Sequence, residues 1–385
     1  MPDNSSMSAT MIDRESRRTL LKSSCAIAGV AIGFLIATSH ADSVSNSTPN
    51  SVTLTEQIAD LRQQVDAAKA RYDDAFQKGP VYEMEAGKAW EAYSAVFETN
   101  LPKILKVVHQ NPASSNSFEI LMWISSHQAF GGNQSWSNAL EPLRLLGQFH
   151  ASKTGLAPLC SKCGYWWSWR WRDRQIIDFL EAVREKNPDR TTRGQAILAL
   201  ARLDKDKAGH LIDWENDLAN DSSNPKASAE YADIAKTTDS KKILQEAEQL
   251  FDEVIKDYGD CPFVPVMPTR RAATTLSEHA GDDLFELLHL TIGQVAPELK
   301  GEDFADHEIK LSDYRGKVVV ISFWASWCGP CMASVPHERE LAKRMQGKPF
   351  VLIGVNGDYE MSAAKNAIEK EEMKWPSIWG GTNGP

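Results

Sequence analysis

Leu54, Ile58, Leu61, Val65, Ala68, Tyr72 and Ala75 recur at alternating spacings of four and three, which places them on one stripe of a helix of about six turns. A coiled coil or long helical hairpin is implied. Gly79-Pro80 breaks the pattern, and a second stripe follows with Trp90, Tyr93 and Phe97, aromatics expected to pack as core. Further helical periods occupy residues 117–130, 172–186, 191–203, 226–236 and 240–258, separated by Asn-Pro, Gly-Gly and Asn/Ser clusters. The last resembles the second half of a helical-repeat unit, yet no repeated period supports a regular array. The pattern predicts an irregular all-α domain over 52–258.

Pro262, Pro265 and Pro268 then fall every third residue, which stiffens the chain into an extended spacer. A helix from about Thr274 to Leu290 closes this connecting region, 259–290. Beyond it the period changes from helical to strand-like: Glu308 to Leu311 alternates, Lys317 to Trp324 is nearly all apolar, and Phe350 to Val355 is apolar again. An amphipathic helix starts at Cys-Gly-Pro-Cys between the last two, and another lies near Met361 to Met373. Strand, helix, strand predicts a parallel pair with a right-handed crossover. The fold class is therefore α+β multidomain, with the all-α part N-terminal to an α/β domain over 291–385.

Length and composition fit this division: 385 residues with 42% hydrophobic content suffice for two cores. A formal charge of −10 without a long basic stretch argues against nucleic acid as a partner, because phosphate recognition rests on clustered Lys and Arg. The N-terminus is more specific. Arg17 and Arg18 open the stretch SRRTLLK, an apolar run from Ala26 to Thr38 follows that is too short to span a bilayer, and Ser39-His40-Ala41 supplies small residues for a signal peptidase. This order matches a twin-arginine export signal over 1–41, with Leu20 where that signal usually has Phe. The alternative is a basic start before a short buried helix. An uncleaved signal would be the only membrane contact. Cleavage removes four basic side chains (Arg14, Arg17, Arg18, Lys22) and three acidic ones (Asp3, Asp13, Glu15), leaving −11. The expected product is acidic and lies in the periplasm or cell envelope, beginning with a Ser/Asn-rich linker over 42–51.

Export changes how cysteines are read, since disulfides persist outside the cytosol. Cys25 leaves with the signal; Cys160, Cys163, Cys261, Cys328 and Cys331 remain. An odd count leaves at least one thiol free or intermolecular if the others pair. Cys160 and Cys163, in CSKCGYWWSWRWRD, read first as a local disulfide. A second redox pair competes, although no strand precedes it to hold it at a helix start. A zinc site would need two more ligands, for which only the scattered His127, His150 and His210 are at hand. The neighbouring tryptophans, interleaved with Arg, read as core with cation–π contacts ahead of a sugar-stacking surface. Neither a metal nor a cofactor is expected.

Cys328 and Cys331 stand differently. The apolar strand before them delivers Trp327 and Cys328 to the sheet edge, and the next helix begins at the pair. There Cys328 feels the positive end of the helix dipole and unpaired backbone N–H groups, both favouring thiolate. Pro330 fits the first helical turn, where its missing N–H costs nothing. Cys331, one turn along, can attack a mixed disulfide formed on Cys328.

Residues Ile292 to Cys331, IGQVAPELKGEDFADHEIKLSDYRGKVVVISFWASWCGPC, resemble the TlpA/ResA-like thiol:disulfide reductases, thioredoxin-like redoxins of the AhpC/TSA superfamily. The likeness covers about the last 95 residues, with GQxAPE, the LSDYRGK turn and WCGPC in order. It implies a thioredoxin-like domain in which Cys328 attacks, Cys331 resolves, and Trp327, Gly329 and Pro330 shape the site. Many thioredoxins carry a buried Asp where Ser322 stands, so the general base is left open. The family also continues past WPSIWGGTNGP with a cis-proline loop, two antiparallel strands and a helix, so the domain is expected to be incomplete. Trp375-Pro376-Ser377 reads as a connection before that loop, or as the loop itself.

The implied function is thiol–disulfide oxidoreduction, reductive in direction, on disulfide-bearing exported proteins such as cytochrome apoproteins, with a membrane thiol reductant as electron donor. A peroxiredoxin-type peroxide reductase is the alternative, but it needs Thr or Ser three residues before its reactive Cys, where Ala325 stands. A third reading is a helical adaptor with an inactive redox domain, against which the intact CGPC argues.

Overall fold

The computed structural model describes residues 54–77, 83–127, 137–166, 173–220, 234, 238–266 and 274–381. The export signal and linker, the Gly79-Pro80 break, the helix expected over 226–236 apart from Ile234, and the side chains of Trp166, Trp167, Trp169 and Trp171 lie outside the described residues. The chain divides into two compact units, Met1–Gln294 and Val295–Pro385.

The first unit is helical: α1 (Leu54–Gln57), α2 (Ala59–Gln77), α3 (Glu83–Val108), α4 (Ser115–His127), α5 (Ser137–Phe149), α6 (Ala157–Trp166), α7 (Arg174–Lys186), α8 (Arg190–Asn220), α9 (Ser240–Tyr258) and α10 (Leu276–His289). The stripe read from the sequence faces inward, with Ile58, Val65 and Ala68 buried against Tyr93, Phe97 and Leu101 of α3. Tyr72 meets Trp90 edge-on at 5.1 Å between ring centroids and stacks on Tyr93 at 6.2 Å. The aromatics are core, as their spacing predicts. Helix α8 is apolar on nearly every side from Ala196 to Leu203, because α6, α7, α9 and α10 all pack around it. Asp189 starts it by accepting hydrogen bonds from the backbone N–H (2.8 Å) and hydroxyl (2.5 Å) of Thr192.

The described start of the proline-rich stretch, residues 261–266, is tied back to residues 274–276. Phe263 N–H donates to Thr274 O at 2.8 Å and Leu276 N–H to Cys261 O at 2.9 Å, so the segments flanking residues 267–273 close on each other. Cys261 and Leu276 are buried with Phe251 and Val254 of α9, and a capping box between Thr275 and Glu278 opens α10.

The second unit begins with an antiparallel hairpin, β1 (Lys300–Glu302) and β2 (Glu308–Lys310), followed by a 3₁₀ turn at Leu311–Tyr314. Then come β3 (Val318–Trp324), α11 (Gly329–Arg344), β4 (Phe350–Asn356), α12 (Met361–Lys370) and β5 (Ser377–Trp379). The strands form a parallel sheet in the order β3-β4-β5, with Ser322 opposite Gly354 and Gly354 opposite Ser377. One face buries Trp324 and Leu352 with Val335 of α11 and Ala364 and Ala367 of α12. The other buries Ile353 and Ile378 with Ile309 of the hairpin. Coverage of both faces explains why β4 reads as an unbroken apolar run. At the edge, Val318 and Phe323 of β3 remain exposed. Trp375 to Trp379 forms no loop over the cysteines: Pro376 O accepts from Gly354 N–H at 2.9 Å, its peptide bond is trans, and β5 lies on the far side of β4 from β3.

Candidate active site

Strand β3 ends at Trp324 and α11 begins at Gly329, so the backbone must turn within the four residues Ala325–Cys328. The turn is closed by Cys328 N–H donating to Ala325 O at 3.0 Å. Cys328 takes the N-cap position with extended backbone (φ −84°, ψ 95°), and its Sγ accepts a hydrogen bond from Cys331 N–H at 3.3 Å. Pro330 sits in the first turn, where no amide hydrogen is needed. Sulfur thus replaces the oxygen of an ordinary cap and takes up one orphan amide of the helix start, that of Cys331.

Cys328 and Cys331 form a disulfide with their Cα atoms 5.2 Å apart, within the normal span of such a bond. Both are half-buried. Cys331 faces inward onto the core that holds Trp324 and Val335. Trp327 is 68% exposed beside the pair, and Gly329 and Pro330 are exposed too. Trp327, Cys328, Gly329, Pro330 and Cys331 all lie at the junction of β3 and α11. Ser322, the position left open for a proton acceptor, donates its hydroxyl to the carboxylate of Glu338 on α11 at 2.6 Å.

Three further residues shape the site that sequence reasoning did not name. Asp358, buried in the loop after β4, accepts hydrogen bonds from the backbone N–H and hydroxyl of Ser326, and Asn356 bridges the same carboxylate to the end of β3. Their signal was available: a polar Asn-Gly-Asp closes an apolar strand, and functional groups gather beyond the carboxyl ends of parallel strands.

Cys160 and Cys163 share the spacing of the redox pair but not its surroundings. They lie inside α6, not at its start, and both thiols are buried and free, so the local disulfide expected there is not formed. Burial pushes the Cys160 thiol up, and burial together with the neighbouring Cys160 pushes Cys163 well up. Burial also brings the Lys162 amine between them down to about 7; that amine donates to Ser125 O at 2.6 Å, at the end of α4. Cys261 is buried as well. Among the described residues no group of three His, Cys, Asp or Glu side chains could hold a metal.

The contrast yields a measurable outcome. In the reduced protein at neutral pH, iodoacetamide is expected to modify Cys328 first, about tenfold or more ahead of Cys331. Cys160, Cys163 and Cys261 should react only after unfolding, as read by mass spectrometry of the labelled peptides. Equal rates for Cys328 and Cys331 would remove the thiolate assignment.

The AhpC/TSA family matches residues 292–383. The thiol-disulfide oxidoreductase ResA of Bacillus thuringiensis subsp. konkukian is 32% identical over 87 residues, covering 23% of this chain and 50% of the relative. ResA of Geobacillus kaustophilus is 37% identical over 90 residues, covering 23% and 51%. The thioredoxin domain of a thiol-disulfide oxidoreductase from Bacteroides vulgatus is 30% identical, covering 22% of this chain and 61% of that one, with a TM-score of 0.22. The chain spans about half the length of the curated relatives it matches. Residues 292–383, with the cysteine pair at the start of α11, match the AhpC/TSA family and are similar in sequence to ResA.

Proposed function

We propose that this chain reduces disulfides of exported proteins by thiol–disulfide exchange at Cys328 and Cys331. The observation that carries the reading is the N-cap position of Cys328, whose sulfur receives the Cys331 amide and so is stabilised as thiolate. In the reduced chain, Cys328 thiolate attacks one sulfur of the target disulfide; an S–S bond forms between chain and target, and the other target sulfur leaves as thiolate and takes up a proton. Cys331 then loses its proton and attacks Cys328, which releases the second target sulfur as a thiol and leaves the Cys328–Cys331 disulfide. The target gains two electrons and two protons; the chain gives up both electrons and the Cys331 proton, and solvent supplies the other proton. A membrane thiol reductant would return them by the same exchange in reverse. Trp327, exposed beside the pair, is placed to contact the target.

Insulin reduction by the full chain, with peroxide consumption measured alongside, tests the reading. Precipitation of insulin B chain without peroxide turnover supports it; peroxide turnover without insulin reduction overturns it.

The Arg17-Arg18 leader supports delivery across the membrane by the twin-arginine route. No described helix is long and apolar enough to cross a membrane. Replacing Arg17 and Arg18 by Lys is expected to leave the precursor in the cytoplasm, seen as loss of the processed form beginning near Asp42 in fractionated cells. Unchanged processing would exclude that route.

A further inference from the structure

We propose that Asp358 is a positioning residue for the attacking thiol: its carboxylate holds the loop that seats Cys328, and its fixed charge keeps the cysteine pair reducing. The inference rests on the reading of Cys328 and Cys331 as the exchanging pair.

Asp358 is only 1% exposed, and among the described residues no cation pairs with it. Burying a carboxylate so is costly unless hydrogen bonds replace its water. The donors are all at hand. Ser326 N–H lies 3.1 and 2.9 Å from the two oxygens, Ser326 Oγ–H donates at 2.7 Å, and Asn356 Nδ2–H donates at 2.7 Å. Bonds from neutral donors to an ionised acceptor are about twice as strong as those between neutral groups. The loop is tied from its other side too: Gly357 N–H donates to Trp324 O at 2.9 Å, and Trp379 Nε1–H donates to Asp358 O at 3.2 Å. The ends of β3, β4 and β5 are thereby tied together through the Gly357-Asp358 loop.

That lock sits one turn from the chemistry. Ala325 O, which receives the Cys328 amide at 3.0 Å, belongs to the same peptide as the Ser326 N–H that Asp358 holds. These two contacts and standard bond lengths place the Cys328 amide within about 8 Å of the carboxylate. A negative charge at that range, in half-buried surroundings, is felt through a dielectric far below that of water. Asp358 therefore opposes the helix start, which favours thiolate. Stabilising the thiolate makes a cysteine pair more oxidising, and opposing it makes the pair more reducing. A structural tie alone would not require a charge; a carboxylate supplies both the tie and the field.

The test uses the full chain and two readouts, the equilibrium constant of its disulfide against glutathione at pH 7 and the rate of exchange with a reporter disulfide. Asp358→Asn is expected to shift the equilibrium about tenfold toward the dithiol, a potential about 30 mV more positive, and to slow exchange about tenfold. Ser326→Ala keeps the charge and removes one tie, so its exchange slows severalfold while its equilibrium constant stays that of wild type. Ser326→Thr, which retains the hydroxyl, restores the rate. An unshifted equilibrium in Asp358→Asn, or an unaltered rate in Ser326→Ala, overturns the inference. Should Asp358→Asn fail to fold by circular dichroism, Asp358→Ser supplies the neutral variant for the equilibrium constant, with the same shift expected, and the Ser326 pair decides the tie. A wild-type chain that reduces no reporter sinks the functional reading, while the equilibrium constants still decide the role of Asp358.

Discussion

Cys328→Ser is expected to lower disulfide reduction on the order of a thousandfold or more, because the thiolate is the nucleophile and a hydroxyl at neutral pH is not. The change is otherwise mild. Serine is a favoured N-cap residue and can accept the Cys331 amide that the sulfur now accepts, so the unfolding midpoint of the reduced protein should hold or rise slightly. Loss of activity without loss of fold separates chemistry from structure. Cys331→Ser acts on the second step instead. Cys328 still attacks, but nothing releases the mixed disulfide from within, and the target stays bound to the chain. Purification under non-reducing conditions followed by mass spectrometry then identifies the partner. Cys160→Ala, by contrast, should leave exchange unchanged, since that thiol is buried inside α6. Activity retained by Cys328→Ser, or no trapped species on Cys331→Ser, would move the reaction elsewhere in the chain.

The redox unit was legible because its signals are local and chemical. An apolar run before Cys-Gly-Pro-Cys specifies a buried strand feeding a helix start, and β3, α11 and β4 lie where the period placed them. The short β5 was missed: three residues carry no period, and only pairing with Gly354–Asn356 makes Ser377–Trp379 a strand. In the helical unit, α5 and α6 were hidden by Pro142 and Gly147 in one and by Gly164 in the other, which local rules read as breakers. Tertiary packing overrides them, since Leu143, Leu145, Leu146, Cys160 and Cys163 are fully or nearly fully buried in the main core. The same effect lengthens α8 beyond 203. The polar DKDKAGH that follows looks like an end, yet Ala208 and Leu211 are buried against Ile243 of α9. Asp358 went unread for a different reason: its role exists only where the carboxyl ends of β3 and β4 meet, 32 residues apart in sequence from Ser326.

Gly164 shows how sharply that packing is set. A methyl group built on it would lie 2.7 Å from the Cα and 2.9 Å from the Cβ of Ala199 on α8, distances that real carbon contacts do not reach. Both partners are on helices and the obstructing atom is backbone, so no side chain can swing aside. Helices α6 and α8 must separate. Gly164→Val is therefore expected to destabilise the helical unit by about 3 kcal/mol or more, the upper range for overpacking, and to lower its midpoint by about 6–12 °C. Gly87, on an exposed part of α3 with nothing within 4 Å of a built methyl, supplies the opposite case. There Gly87→Ala should stabilise by about 0.5–1 kcal/mol, through the backbone entropy glycine loses on entering a helix. Thermal unfolding followed by far-ultraviolet circular dichroism reads both. Because α6 carries Cys160, Lys162 and Cys163, separating it from α8 should also open the buried thiols. Gly164→Val should then make Cys160 and Cys163 reactive to iodoacetamide in the folded protein, leaving the rate at Cys328 unchanged. Unaltered stability in Gly164→Val would mean that the two helices do not approach as closely as described.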